Sequence, residues 1–214
     1  MRQRQYNRLD RFIIDFDTSL AGIFTKPAPS KRKNPAQTME ATALDATEKR
    51  VSQGLMRINH TGEVAAQALY QGQSLTARSL SVRSSLQQSA MEEVDHLNWC
   101  KGRLDELGSH TSYLNPFCYL GSFTIGTAAG VLGDKWSLGF VAETEHQVVA
   151  HLQSHLQKLP ERDKRSRAIL EQMQVDEAHH ATVAMESGAA ELPVMVKKIM
   201  TFCSRLMTST AYWI

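Results

Sequence analysis

The feature that most constrains this chain is a repeated acidic pattern. A Glu-x-x-His step occurs at Glu93–His96 and again at Glu177–His180. Each follows a lone glutamate, Glu63 lying 30 positions before Glu93 and Glu145 lying 32 before Glu177. Residues three apart on a helix share a face, so each step aims a carboxylate and an imidazole at one point. A third step, Glu143–His146, has the same spacing, and helical register separates it from the others. Glu145 shares its face with Leu138, Val141, Ala142, Val148, Val149 and Leu152, an apolar stripe, whereas Glu143 falls on a mixed face with Trp136, Gln147 and Ala150. Glu93 lies among Leu86, Ala90, Leu97, Cys100 and Leu104, Glu177 among Ile169, Met173, Ala181 and Ala184, and Glu63 among Leu55, Met56, Ala66 and Tyr70.

Four carboxylates on four apolar faces are costly to bury unless a cation neutralises them. The donors are oxygen and imidazole nitrogen with no thiolate, a set that suits iron or manganese and disfavours a zinc–thiolate or copper site. One lone Glu from each of two helices plus Glu-x-x-His from each of two others resembles the ligand set of ferritin-like di-iron carboxylate bundles. The expected ligands are Glu63, Glu93, His96, Glu145, Glu177 and His180. Asp176–His179 has the same spacing as Glu177–His180 and stays open as an alternative, although the repeat favours the latter. Asp95, Asp176 and His151 are candidates to orient the imidazoles from outside the metal shell. Tyr70 follows Glu63 by seven positions on the same face, where it either lines the site or packs in the core.

The expected fold is all-α: a ferritin-like four-helix bundle with a long crossover between its second and third helices and additional amphipathic helices at both ends. Residues 1–24 place Tyr6, Leu9, Phe12, Ile13, Phe16, Leu20 and Ile23 at helical spacing, either to pack on the bundle or to lie on a membrane. Residues 25–46, rich in proline at their start, read as a flexible linker. The domain proper runs over 47–214, with helices near 47–76, 81–107, 135–159 and 166–186, an apolar crossover over 107–134 and a C-terminal helix over 193–214. Gly62, beside Glu63, allows another backbone or a ligand to approach closely. No Lys, Arg, Asp or Glu occurs from Leu107 to Gly133, and a bundle with parallel second and third helices needs such a crossover. Its Ser, Thr, Gly, Asn115 and Pro116 argue for a short helix that meets lipid or a greasy substrate, not for a membrane span. The closing Tyr212-Trp213-Ile214 suits a membrane interface or docking on the bundle.

Net charge is +2, but residues 1–33 carry eight Lys/Arg against Asp10, Asp15 and Asp17, which favours an anionic surface. No nucleic-acid reader motif appears, so nucleic acid is not an expected partner. Three scattered cysteines read as thiols in a reducing compartment, and the first residues lack the apolar core of a signal peptide.

The segments NHTGEVAAQALYQGQ, EVDH, LGFVAETEHQVVAHL and VDEAHHA are similar to those of the demethoxyubiquinone hydroxylases of ubiquinone biosynthesis, over the chain from about Arg57 onward. Carried over by motif, the family's metal ligands fall on the same six residues, and His151 matches a histidine near the cluster. The resemblance implies a monooxygenase with two iron ions. It would use O2 to hydroxylate the ring of a 2-polyprenyl-3-methyl-6-methoxy-1,4-benzoquinol. It also implies peripheral attachment at the cytoplasmic side of a membrane, in bacteria the inner one, alongside other ubiquinone-biosynthesis proteins. No dinucleotide fingerprint is present, so the reductant, NADH or a partner reductase, is external. A ferritin-like iron-binding or ferroxidase protein, or another di-iron hydroxylase, is the alternative that the ligand set by itself allows.

Overall fold

The computed structural model describes residues 29–214 together with Asp10 and Ile13; apart from these two, the expected helix over 1–24 lies outside the described residues. Residues 29–214 form six α-helices and no strand: α1 (Ala46–Thr76), α2 (Leu80–Glu106), α3 (Asn115–Val131), α4 (Asp134–Lys158), α5 (Lys164–Glu186) and α6 (Val194–Ala211). A 3-10 turn, Pro35–Thr38, precedes them.

Local chemistry sets the helix ends. At the start of α1, the Asp45 carboxylate accepts from the Thr47 and Glu48 backbone N–H groups while Glu48 accepts from the Asp45 N–H, a reciprocal capping box. Beyond α2, Gly108 takes φ +64°, and the Gly108 and Ser109 N–H groups close on the carbonyls of Asp105 and Leu104. The buried Asp163 accepts from the Ser166 N–H at the head of α5 and from the Arg103 guanidinium of α2 at 2.7 Å, which joins the two helices.

α1 packs on α2, and α4 on α5, as two helical hairpins. Each of the four helices contributes to two separate apolar clusters. One gathers Leu55 and Met56 of α1, Trp99, Cys100 and Leu104 of α2, Leu152 of α4, and Ile169, Leu170 and Met173 of α5. The other gathers Ala66 and Tyr70, Val82, Leu86 and Ala90, Leu138, Val141 and Ala142, and Ala184 from the same four helices. The chain passes from the first cluster to the second along α1 and α5, and from the second to the first along α2 and α4. Helices α2 and α4 are therefore parallel, and α3 is the crossover between them.

The crossover makes an extensive contact with α1 through missing side chains. A Cβ on Gly126 would collide with the Leu69 carbonyl, and one on Gly72 would collide with the Phe123 carbonyl. Backbone meets backbone there, a spacing that any larger residue forbids. Where α3 begins, the Thr61 hydroxyl donates to Asn115 Oδ1 at 2.8 Å and Asn115 Nδ2 donates to His60 Nδ1 at 3.3 Å. Burial depresses His60 to about 4, which keeps the ring neutral and able to accept. The other side of α3 is bare: Phe117, Leu120 and Val131 are mostly exposed. Among the described residues no helix is long and apolar enough to cross a membrane.

Two expectations need adjustment. Part of the stretch read as a flexible linker lies against the bundle: Ala36 is buried in the first apolar cluster, and the segment around it packs on α5. No other backbone closes on Gly62: among the described residues nothing lies within 4 Å of where its Cβ would be, which leaves open space there. The C-terminal helix α6 lies on the surface and is tied at both ends. Beyond it, Tyr212 covers Gly54, and its carbonyl accepts from Arg57 at 2.6 Å, while Trp213 stays exposed.

The two kinds of glycine in α3 separate in unfolding experiments. Gly126→Ala should lower stability by about 1–3 kcal/mol through overpacking. Gly121→Ala, with no neighbour within 4 Å among the described residues, should instead raise it by up to about 1 kcal/mol through helix propensity. Urea unfolding that gave both variants the same sign would refute the backbone contact.

Candidate metal centre

Between the two apolar clusters lies one polar layer. Reading along each helix, Glu63 separates Met56 from Ala66, Glu93 and His96 separate Ala90 from Trp99, Glu145 separates Ala142 from Leu152, and Glu177 and His180 separate Met173 from Ala184. All six are buried, the most exposed being His180 at 6%. They form two groups that share members: Glu63, Glu93, His96 and Glu177 in one, and Glu93, Glu145, Glu177 and His180 in the other, with the donor atoms of each group within 4.8 Å of one another. Glu93 and Glu177 thus belong to both, while Glu63 with His96 and Glu145 with His180 occupy opposite ends.

Both imidazoles turn the same nitrogen inward. His96 Nδ1 lies 3.0 Å from Glu93, 3.1 Å from Glu177 and 3.5 Å from Glu63. His180 Nδ1 lies 3.1 Å from Glu177 and 3.6 Å from Glu93. The outward nitrogens meet carboxylates of their own. His96 Nε2 is 3.0 Å from Asp176, and His180 Nε2 is 2.7 Å from Glu92. Such partners favour the Nε2–H tautomer and leave Nδ1 free to bind a cation.

Charge in this layer is poorly balanced. Burial pushes Glu63 and Glu145 well above the usual carboxylate range, and neighbouring acids push them further, Glu93 and Glu177 acting on Glu63, and Glu177 and Glu63 on Glu145. Burial opposes a charged His96, yet Asp176, Glu177, Glu63 and Glu93 together hold it well above its ordinary value. Burial opposes His180 too, but Glu177 and Glu93 raise it to about 10. Among the described residues, Glu93, Glu145 and Glu177 each keep one buried oxygen that accepts no hydrogen bond. Acceptors that outnumber donors in a dry layer, with two neutralisable imidazoles turned inward, are a donor set fitted to a pair of divalent cations.

The remaining sequence candidates separate clearly. His179 is exposed and Asp176 faces the back of His96, so that pair stands outside the layer. His146 is exposed, and Glu143 pairs with Lys197. Asp95 accepts from Ser30 and the Lys31 backbone instead of meeting an imidazole. His151 packs edge-on against His155 at 4.8 Å, and His155 Nδ1 is bonded to Asn59. Tyr70 is fully buried in the second apolar cluster, and its hydroxyl has no hydrogen-bond partner among the described residues. Glu92 escaped the sequence reading. Its place beside Glu93 turns it to a face that register alone reads as solvated.

Cation binding must displace the protons that His96, His180, Glu63 and Glu145 hold above their ordinary ranges. Affinity should therefore rise with pH, by about tenfold per unit for each proton displaced per ion. Competition between the protein and a chelator for Co(II) at pH 6.5 and 7.5 measures this, after correction for the chelator's own protonation. A flat profile would mean that these groups do not face the ions.

Comparison with known proteins reaches the same region. Residues 50–211 match the family model described as ubiquinone biosynthesis protein COQ7. A protein of Nitrosococcus oceani named 3-demethoxyubiquinol 3-hydroxylase is 56% identical over 214 residues, covering 100% of both chains. Proteins of the same name from Nitrosomonas eutropha and Acinetobacter baumannii are 56% identical over 206 residues (96% of this chain, 99% of the relative) and 54% identical over 211 residues (99% and 100%). With relatives at this identity over nearly the whole chain, and the family model reaching into all six helices, the chain belongs to the COQ7 family of ubiquinone biosynthesis proteins.

Proposed function

We propose that the chain is a di-iron monooxygenase on a ferritin-like four-helix bundle, and that it hydroxylates the ring of a 2-polyprenyl-3-methyl-6-methoxy-1,4-benzoquinol, a reading in line with relatives named 3-demethoxyubiquinol 3-hydroxylase. The observation that carries this reading is the buried layer of four glutamates and two histidines, in which two carboxylates are common to both donor groups. Glu63 and His96 would hold one iron, Glu145 and His180 the other, with Glu93 and Glu177 between them. An iron pair held by these residues would supply the redox chemistry for O2 activation. One oxygen atom enters a ring C–H bond and the other leaves as water, with two electrons and two protons from an external reductant, NADH or a partner reductase.

The chain's own residues prepare that chemistry. Asp176 and Glu92 hold the imidazole tautomers, and the apolar layers above and below keep bulk water from the oxidising site. The greasy tail of the substrate calls for lipid contact. The α6 side chains Met195, Ile199, Phe202 and Leu206 follow one another at helical spacing and are 55–69% exposed, with Lys198 and Arg205 on the same helix. This helix, with the bare face of α3, supports attachment to an anionic membrane surface.

Reduced, iron-loaded protein should consume O2 faster when a short-chain demethoxy-quinol is supplied, and mass spectrometry should find a product heavier by one oxygen atom. Glu177→Ala, which removes a carboxylate common to both groups, should bind little iron and give no product. No stimulation by the quinol in the wild type would reject the hydroxylase reading. For the surface, the triple variant I199D/F202D/L206D should leave the floating fraction with phosphatidylglycerol vesicles; unchanged flotation would move the membrane contact away from α6.

A further inference from the structure

The segment just before the 3-10 turn reaches across both helices that carry a Glu-x-x-His step. On α2, Asp95 accepts from the Ser30 hydroxyl at 2.7 Å and from the Lys31 backbone N–H at 2.8 Å. On α5, Asp176 receives both terminal nitrogens of Arg32, at 2.7 and 3.2 Å. The same guanidinium lies 4.9 Å from the centre of the Trp99 ring, and Trp99 in turn packs against the His96 ring with centroids 5.3 Å apart. Asp176 holds His96 Nε2 at 3.0 Å. Arg32 therefore touches both of the side chains that fix the back of His96, one by a two-pronged charged hydrogen bond and one by stacking.

The opposite imidazole is held differently. Glu92, behind His180, accepts from Gln88 at 2.7 Å and is itself 36% exposed. Asp176, at 16%, is enclosed by Arg32, Gln172 and His96. Two ends of the layer that are alike in their ligands thus differ in the rigidity of their supports.

We propose that Arg32 is a positioning residue, and that the 30–32 segment is a strap which fixes His96 through Asp176 and Trp99 and so sets the affinity of one of the two metal positions. This rests on the di-iron reading above. Arginine suits the task because its planar fork matches a carboxylate while its face stacks on an indole, and lysine can do neither as well. Freed of Arg32, Asp176 can rotate away from Nε2, and the imidazole loses the orientation that presents Nδ1 to the cation.

Co(II) titration of the full-length protein, followed by visible absorption, tests the proposal without turnover. Wild type should bind two ions; fewer would reject the di-metal reading itself. R32A should keep one tight position and weaken the other by roughly tenfold, the low end for residues that support a ligand, and shift the absorption of that position. R32K should fall between R32A and wild type. D176N should weaken the same position, and R32A/D176N should lose less than the sum of the two single effects, since residues that share a contact are not additive. A titration of R32A that matches wild type, or an R32A effect that adds in full to that of D176N, would overturn the proposal. So would equal loss at both positions together with a lower melting temperature of the metal-free protein, which would make the strap a fold element instead.

Discussion

Everything in this fold answers to the burial of four carboxylates between two apolar layers. Such groups are tolerated inside a protein when opposite charge meets them, and two imidazoles do not suffice for four acids. The apolar layers and the acidic layer are drawn from the same four helices, so the chain cannot form its core without bringing the acids together. Fold and site are one construction, and the stability of the first is tied to what fills the second.

Sharing Glu93 and Glu177 between both donor groups couples the two ends of the layer. Coupled ends need not be equivalent. The enclosed Asp176 behind His96 and the more open Glu92 behind His180 give the ligand set a stiff end and a softer one. That difference arises from side chains that touch no ligand nitrogen on its inner side, where sequence repeats reveal nothing.

The sequence exposed the helices and the convergent layer because both are periodic. Apolar residues at helical spacing located α1, α2, α4 and α5 to within two residues, and the 30- and 32-residue intervals singled out the acids. What escaped depends on contacts between distant parts of the chain. Glu92 looked like an ordinary surface acid until α5 brought His180 beside it. Arg32 stood in a proline-rich stretch that composition reads as loose, 144 positions from the aspartate it binds. Gly126 and Gly130 of α3 carried no signal of their own in the sequence, and their use emerged when α1 proved to lie against them. His151, placed by family likeness near the cluster, has its ring contact with His155.

The anchoring of α6 has a mechanical consequence. At its start, the Ala190 carbonyl fills the space that Gly139 leaves on α4, and the Ala190 N–H bonds to the Lys135 carbonyl. At its end, Arg57 grips the Tyr212 carbonyl and the Tyr212 ring covers Gly54 of α1. A rod pinned at two points cannot swivel on its support. On the membrane contact proposed for α6, the four long helices would meet the surface at one inherited angle, set by the architecture before any molecule arrives.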